Sequence, residues 1–467
     1  MRKALQQSLY YAAGLVLMKG ASFLMLPIVA NALDTHDYGA LDLWISVLNI
    51  GGIIIGFGLI EALYRYAGDA KGEDFNALNS TATLQQLIIA LWAVILSAPV
   101  CWLILVTWPS ISTVDLVLTL STLIISAAIN MPLTWLRLID NARLFFVVTS
   151  GKAVLQALMT LLFLKWNMGV TGVLLSGLLS STALATVLII HQYRTVPIRW
   201  DPQVAKQLRH YGIPLIASGI LLFAASGAER WILAATLGLE TLAQYALAMQ
   251  FALIVAFLCE PLTLWWFPKR FQILNEPGGM KKTARIAEGM CHATLWFAMG
   301  IACIAPWLIE HWFPPRYHQA AEWIPWLALG MALKQISHTL TTGCYVEKQP
   351  RVVLKINAFM AVIAMVTFTI SSLIYGLNGV VFCFIGLYAL RAVLFDRASQ
   401  QRLSLPMSYL PIALHVAWIA GWIAANPSVV AMWLAMVLQS IGLAVWSYSH
   451  WTESSDKSIV CQQGAQK

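Results

Sequence analysis

The stretch GVTGVLLSGLLSSTALATVLII, residues 169–190, runs for 22 positions without a charged side chain. A helix of that length in a soluble protein shows a polar face, and this one has none. About 20 apolar residues span the roughly 30 Å hydrocarbon core of a bilayer. The run is followed by His191, Arg194 and Arg199, the kind of basic break that marks a cytoplasmic loop.

The same pattern recurs on both sides. Apolar runs cover residues 9–30, 40–63, 83–108, 113–132 and 144–164 before it. After it come 211–237, 245–267, 290–309, 321–343, 352–375, 377–394, 409–425 and 429–448. The chain has 467 residues, 59% hydrophobic and 11% charged, against about 25% charged in a typical soluble domain. That balance excludes a soluble enzyme, a disordered chain and a disulfide-stapled module. The expected fold is an all-α polytopic membrane protein with about fourteen transmembrane helices.

The breaks alternate in charge. One set is short and holds only Lys165 and Arg316. The other carries Arg65, Arg137, Arg143, Arg194, Arg199, Lys206, Lys269, Arg270, Lys281, Lys282, Lys348, Arg391, Arg397 and Arg402. The positive-inside rule then places both termini in the cytoplasm. The net charge of +8 reads as basic loops and implies no nucleic acid. Met1-Arg2-Lys3 resembles the start of a signal peptide and Ala30-Asn31-Ala32 a cleavage site. The apolar run between them is long and contains Lys19, so it reads as the first span. Six cysteines fall in apolar runs and Cys461 in a polar tail. No zinc spacing occurs, and no metal or cofactor is expected.

Two local patterns recur at one offset. Tyr38-Gly39-Ala40-Leu41 and Tyr245-Ala246-Leu247-Ala248 lie 207 positions apart, as do Gly169-Val170-Thr171-Gly172 and Gly376-Leu377-Asn378-Gly379. This predicts two parallel six-helix pseudo-repeats, residues 1–190 and 211–395. A cytoplasmic linker, 191–210, joins them, and 396–467 adds a helix pair and tail. Two-lobed transporters hold substrate between the lobes near the midplane.

Five stretches then resemble the Wzx-type polysaccharide flippases of the multidrug/oligosaccharidyl-lipid/polysaccharide exporter superfamily. They are Lys19–Pro27 with Leu33–Gly39, Gly58–Tyr66, Glu229–Leu233 with Tyr245, Trp312–Tyr317 with Ala320, and Lys348–Gly379. Glu229 stands where the family has Asp. The resemblance implies a flippase, not an enzyme. Its cargo would be undecaprenyl-diphosphate-linked oligosaccharide units, moved across the bacterial inner membrane for O-antigen or exopolysaccharide assembly. It also implies the phospholipid bilayer, a polymerase and a chain-length regulator as partners.

Four bases fall inside spans: Lys19, Lys152, Arg230 and Lys334. Each costs about 2.5–3.5 kcal/mol at the centre of a lipid-facing helix. They are therefore expected to face a cavity, where fixed cations bind a diphosphate, or to sit in ion pairs. Glu229 and Glu260 are the candidates for ion coupling. Glu61 and Arg65, four apart on one helix face, are a candidate gate or cytoplasmic pair. Asp42 reads as solvated near the periplasmic mouth. Glycines and prolines mark the first and seventh spans as either bending or tightly packed. Gly52-xxx-Gly56 reads as a packing seam. The glycosylation-like Asn79-Ser80-Thr81 falls on the cytoplasmic side. Glu310, His311, His318 and Glu322 lack metal-site spacing.

Two other functions compete. A cation-coupled drug exporter favours an acidic cavity, which four intramembrane bases oppose. A membrane glycosyltransferase or polymerase needs a long periplasmic loop, and the longest such break, residues 310–320, is short.

Overall fold

A computed structural model describes residues 2–67, 72–107, 112–346, 351–425, 431, 434–440 and 442 of the protein. The described residues form fourteen α-helices and no strand. Nine are long and apolar enough to cross a membrane, beside the shorter apolar helices Val16–Ala32 and Tyr409–Ala424. The polytopic all-α fold read from the sequence is what forms. The fourteenth span, 429–448, lies largely outside the described residues, as does Cys461. Packing divides the chain into two compact units, Met1–Ala234 and Ala235–Lys467.

The first unit begins with α1 (Arg2–Ala32) and α2 (Thr35–Gly56). Asp34 caps α2, its Oδ1 accepting the Asp37 N–H at 2.7 Å; such a cap satisfies a backbone donor the helix start leaves open. The second span is broken where Phe57 and Gly58 both take positive φ, 54° and 61°, and it resumes as α3 (Leu59–Ala67). Then follow α4 (Glu73–Thr107), α5 (Thr113–Leu138), α6 (Ala142–Lys165), α7 (Gly169–Thr195), α8 (Pro202–Ser226) and α9 (Glu229–Leu237). Leu59, Ala62 and Leu63 pack with Leu78, Ala82, Met131 and Leu208, which ties α3 to α4, α5 and α8. The helix α1 lies on α6, and α5 lies on α4 and α7.

The glycines separate into two kinds. A Cβ on Gly212 would sit 2.1 Å from the Phe57 carbonyl oxygen, and one on Gly219 would sit 2.6 Å from Ile53 Cγ2. Those two serve close packing. A Cβ on Gly20, Gly52 or Gly56 would meet nothing within 4 Å. Gly52-xxx-Gly56 is therefore not the packing seam expected of it. It borders a cleft of about 80 Å³, lined also by Leu48, Ser126 and Asn130.

The strand of chain after α7 is held by side chains of α4. Ser80 Oγ accepts the Arg199 N–H at 2.8 Å and Thr81 Oγ1 accepts the Asp201 N–H at 3.1 Å. Arg199 pairs with Glu73 at 3.0 Å. Asn79, Ser80 and Thr81 are all fully buried, so the glycosylation-like triplet is a docking strip. Each such hydrogen bond contributes about 0.5–1.5 kcal/mol. The double substitution Ser80→Ala/Thr81→Ala is expected to speed tryptic cleavage at Arg199 while the rest of the chain stays folded. An unchanged cleavage rate would show that these bonds do not hold the strap.

The second unit contains α10 (Leu239–Leu274), α11 (Gly279–Trp312), α12 (Ala320–Thr339), α13 (Arg351–Gln400) and α14 (Tyr409–Ala424). Single 3-10 turns occupy Pro315–Tyr317 and Thr342–Tyr345. The helix α12 packs against α10, α11 and α13. What reads as spans eleven and twelve is α13, two helices meeting at Gly376 with φ 61° and ψ −144°. That backbone region is open almost only to glycine. Gly169, at the 207-residue offset, also takes a positive φ, 54°. One face of α11 holds the C-terminal helices. The Ser408 N–H donates to Glu288 Oε1. The His292 and His415 Nδ1 atoms lie 2.9 Å apart, and Trp296 donates to Ser440 Oγ at 2.8 Å.

Candidate functional site

The eight residues singled out by the sequence are divided between the two units, each of which is described by itself. In the first unit Lys19 is exposed on α1, and Lys152 is half-buried on α6. Glu61 and Arg65 are both exposed, one turn apart on α3. Glu229 is 2% exposed at the start of α9. Beside it, Arg230 Nη1 donates to Asp42 Oδ1 at 3.0 Å, with side-chain exposures of 12% and 4%.

Asp42 is therefore not the solvated carboxylate expected at the membrane surface. It is a buried acid on α2 that meets a base 188 positions away. Trp231 adds a second tie, donating from Nε1 to Ser46 Oγ at 2.8 Å. Asp42 and Ser46 stand one turn apart on α2, and Arg230 and Trp231 are consecutive on α9. The start of α9 is thus clamped to α2 by one ion pair and one neutral bond. Of the two expectations for Arg230, cavity base or paired base, the geometry shows the pair. Asp42 Oδ2 is buried without a hydrogen-bond partner, so this carboxylate relies on Arg230 for its compensation. The Coulomb attraction inside a low-dielectric interior is large, but so is the cost of stripping water from both groups.

In the second unit Glu260 is exposed on α10 and Lys334 is half-buried on α12. Lys334 Nζ lies 5.3 Å from the Tyr388 ring centroid, a cation–π distance. Next to it is a base the sequence reading counts with the loops. Arg391 is inside α13 and 5% exposed. Its Nη1 donates to Ser337 Oγ at 2.7 Å and its Nη2 lies 3.4 Å from Asn357 Oδ1. Its guanidinium carbon is 4.8 Å from the Phe395 ring centroid. Arg270, also read as a loop base, is 4% exposed at the end of α10. The rings of Phe267, Phe271 and Tyr345 surround it at 4.3, 4.9 and 4.9 Å.

A signal for both lay in the sequence. The apolar run continues through Arg391 to Phe395, and Arg270 is bracketed by Phe267, Phe271 and Ile273. A base followed by another apolar turn has not left the helix. Chemically, both units hold positively charged side chains within helices that read as membrane spans. The first unit balances one of them with a carboxylate. The second surrounds its two buried arginines with hydroxyl, amide and aromatic groups.

The family described as "Polysaccharide biosynthesis protein" matches residues 28–322. No curated protein sequence matches the chain. Among solved structures, a lipid II flippase MurJ in an inward closed conformation superposes with a TM-score of 0.67. It is 12% identical, over 96% of this chain and 100% of that one. An inward-facing multidrug resistance MATE family transporter of the MOP superfamily gives 0.63 at 16% identity, over 85% and 94%. A MOP superfamily transporter from Pyrococcus furiosus, described by a binding pocket of reversed polarity, gives 0.58 at 14%, over 85% and 96%. At these identities the likeness is one of fold.

Proposed function

This chain belongs to the polysaccharide biosynthesis protein family, and from that premise we propose that it is a flippase for lipid-linked oligosaccharide. In this reading it moves undecaprenyl-diphosphate-linked repeat units from the cytoplasmic to the periplasmic leaflet of a bacterial inner membrane. The halves 1–190 and 211–395 act as the two lobes of an alternating-access carrier, and both termini are cytoplasmic. A polymerase and a chain-length regulator take the product onward into O-antigen or exopolysaccharide.

The observation that carries this reading is the sign of the charges within the spans. Lys19, Lys152 and Lys334 lie on apolar helices, and Arg391 is buried inside α13 with no carboxylate within 4.0 Å among the described residues. A diphosphate sheds hydration to enter a low-dielectric path, and fixed cations replace that hydration with charge-assisted hydrogen bonds. An organic-cation exporter would meet repulsion from the same groups. Lys19 and Lys152 serve as substrate-binding bases on two helices packed together. Glu229 and Glu260 serve the ion that drives the cycle.

The test is transbilayer movement of a defined polyprenyl-diphosphate glycan in proteoliposomes of the purified protein. Movement is expected with wild type and is expected to fall about tenfold or more in Lys19→Ala, the scale of one lost charge-assisted contact. Export of a cationic dye with no movement of the glycan would favour the drug-exporter reading.

A further inference from the structure

Among the polar contacts that hold the C-terminal helices to α11, one joins two titratable rings. His292 on α11 is 6% exposed, and His415 on α14 is half-buried. Their Nδ1 atoms lie 2.9 Å apart, with the rings stacked at 24° and their centroids 5.2 Å apart. At its other nitrogen, Nε2, His415 meets the side-chain amide of Gln439. Gln439 is buried, and its Oε1 has no hydrogen-bond partner. The flippase reading uses none of these three side chains.

A neutral imidazole offers one N–H and one lone pair, so two ring nitrogens in contact hold one proton between them. With the Gln439 amide donating to His415 Nε2, the His415 proton is on Nδ1 and is donated to the lone pair of His292 Nδ1. One more proton has a place. Added at His415 Nε2, it makes an imidazolium that donates from both nitrogens. A half-turn of the Gln439 amide exchanges its NH2 and oxygen, and Oε1 then accepts the new N–H. The bond to His292 is kept. Transfer of the shared proton to His292 Nδ1 breaks one N–H bond, forms another and passes the charge from α14 to α11. A further proton would set N–H against N–H, so the pair takes up one only.

The titratable groups on the surrounding helices are held in contacts of their own. On α11, Cys291 is adjacent in sequence, and Glu288, one turn earlier, accepts the Ser408 N–H. On α14, Tyr409 donates to Asp396 of α13 at 2.8 Å. On α10, Cys259 donates to Thr294 at 3.3 Å, Glu260 is exposed, and Arg270 is enclosed by aromatic rings. On α12, Glu322 is in the first turn, while Lys334 and His338 turn to Tyr388 and Arg391 of α13. Residues 434–440 carry no titratable side chain. His415 lies six residues from the start of α14 at Tyr409, about 9 Å along the helix, so a proton has a short path from that end.

We propose that His292 and His415, with Gln439 as their adaptable partner, form a one-proton binding site between α11 and α14. It stands apart from Glu229 and Glu260 and does not rest on the flippase reading.

The test uses the full chain, labelled with 15N-histidine, in phosphatidylcholine nanodiscs. NMR follows the ring nitrogens between about pH 8 and pH 4, the range in which imidazoles titrate. Signals lost in His292→Gln or His415→Gln identify the pair among the nine histidines. The wild-type pair is expected to titrate in two steps about 1 pH unit or more apart, the mark of interacting sites. In His292→Gln, His415 is expected to titrate in a single step. Gln439→Leu removes the acceptor for the new N–H and is expected to raise the proton concentration needed for the first step about tenfold, the scale of one lost charged hydrogen bond.

If the variants fail to fold, the wild-type spectrum decides. The proton between the two Nδ1 atoms is expected to couple to both nitrogens. Single-step titration of all rings, with no such coupling, would overturn the proposal. So would a His415 titration that the loss of His292 leaves unchanged.

Discussion

Arg230→Ala is expected to destabilise the N-terminal unit by about 3–5 kcal/mol, the usual cost of removing one member of a buried ion pair. The loss comes less from the missing attraction than from what remains. Asp42 is 3% exposed, and its second oxygen already lacks a hydrogen-bond partner. Without Arg230 it is an uncompensated carboxylate between helices. The double variant Arg230→Ala/Asp42→Ala is therefore expected to recover part of the stability, because neither charge is stranded. Thermal unfolding of all four proteins in one detergent gives the coupling between the two sites. Additive losses from the two single substitutions would sink the claim that this pair clamps α9 to α2. A charge-conserving Arg230→Lys is expected to lie between wild type and alanine.

Gly212→Ala is expected to cost about 1–3 kcal/mol, the range for forcing extra volume into a packed interior. The added methyl would lie 2.1 Å from the Phe57 carbonyl oxygen, which is backbone and cannot rotate away as a side chain would. The contact falls where the second span is broken. Gly58, at φ 61°, itself lies against Gly212 and Leu215. So the methyl pushes α8 off the turn between α2 and α3. Gly20→Ala is the matched control. It sits in the interior of α1 with nothing within 4 Å of a Cβ, and is expected to be neutral or slightly stabilising. Equal stability of the two variants, measured by urea or heat in the same detergent, would refute the close-packing role of Gly212.

The parts of the fold that were legible depend on composition alone. A run such as residues 169–190 needs no partner to be recognised, because lipid itself sets the requirement for apolar side chains and closed hydrogen bonds. The recurring Gly169 and Gly376 were legible for a related reason: a positive φ restricts residue choice locally. Helix ends were less so. The helices α4, α8 and α11 begin at Glu73, Pro202 and Gly279, well before their apolar runs, because hydropathy registers lipid contact and not helical hydrogen bonding. The break at Phe57–Gly58 was invisible, since apolar residues continue straight through it.

The site was legible only as a residue inventory. That Arg230 is a costly base within a span follows from the sequence; that its partner is Asp42, 188 positions away, follows from packing. Arg270 and Arg391 were assigned by side of the membrane, and the apolar turns that follow them were given too little weight. The choice between bending and close packing at the glycines of the seventh span met the same limit. Whether a missing Cβ gives freedom or fit depends on the facing helix, and at Gly212 and Gly219 it gives fit.

The buried Arg391 has a further consequence, an electrical one. It lies on α13, within a helix long and apolar enough to cross a membrane. A full positive charge that crosses the transmembrane field changes energy by about 2.3 kcal/mol per 100 mV. Any rearrangement that carries Arg391 along the membrane normal would therefore perform electrical work, and a resting potential would favour one conformation over the other.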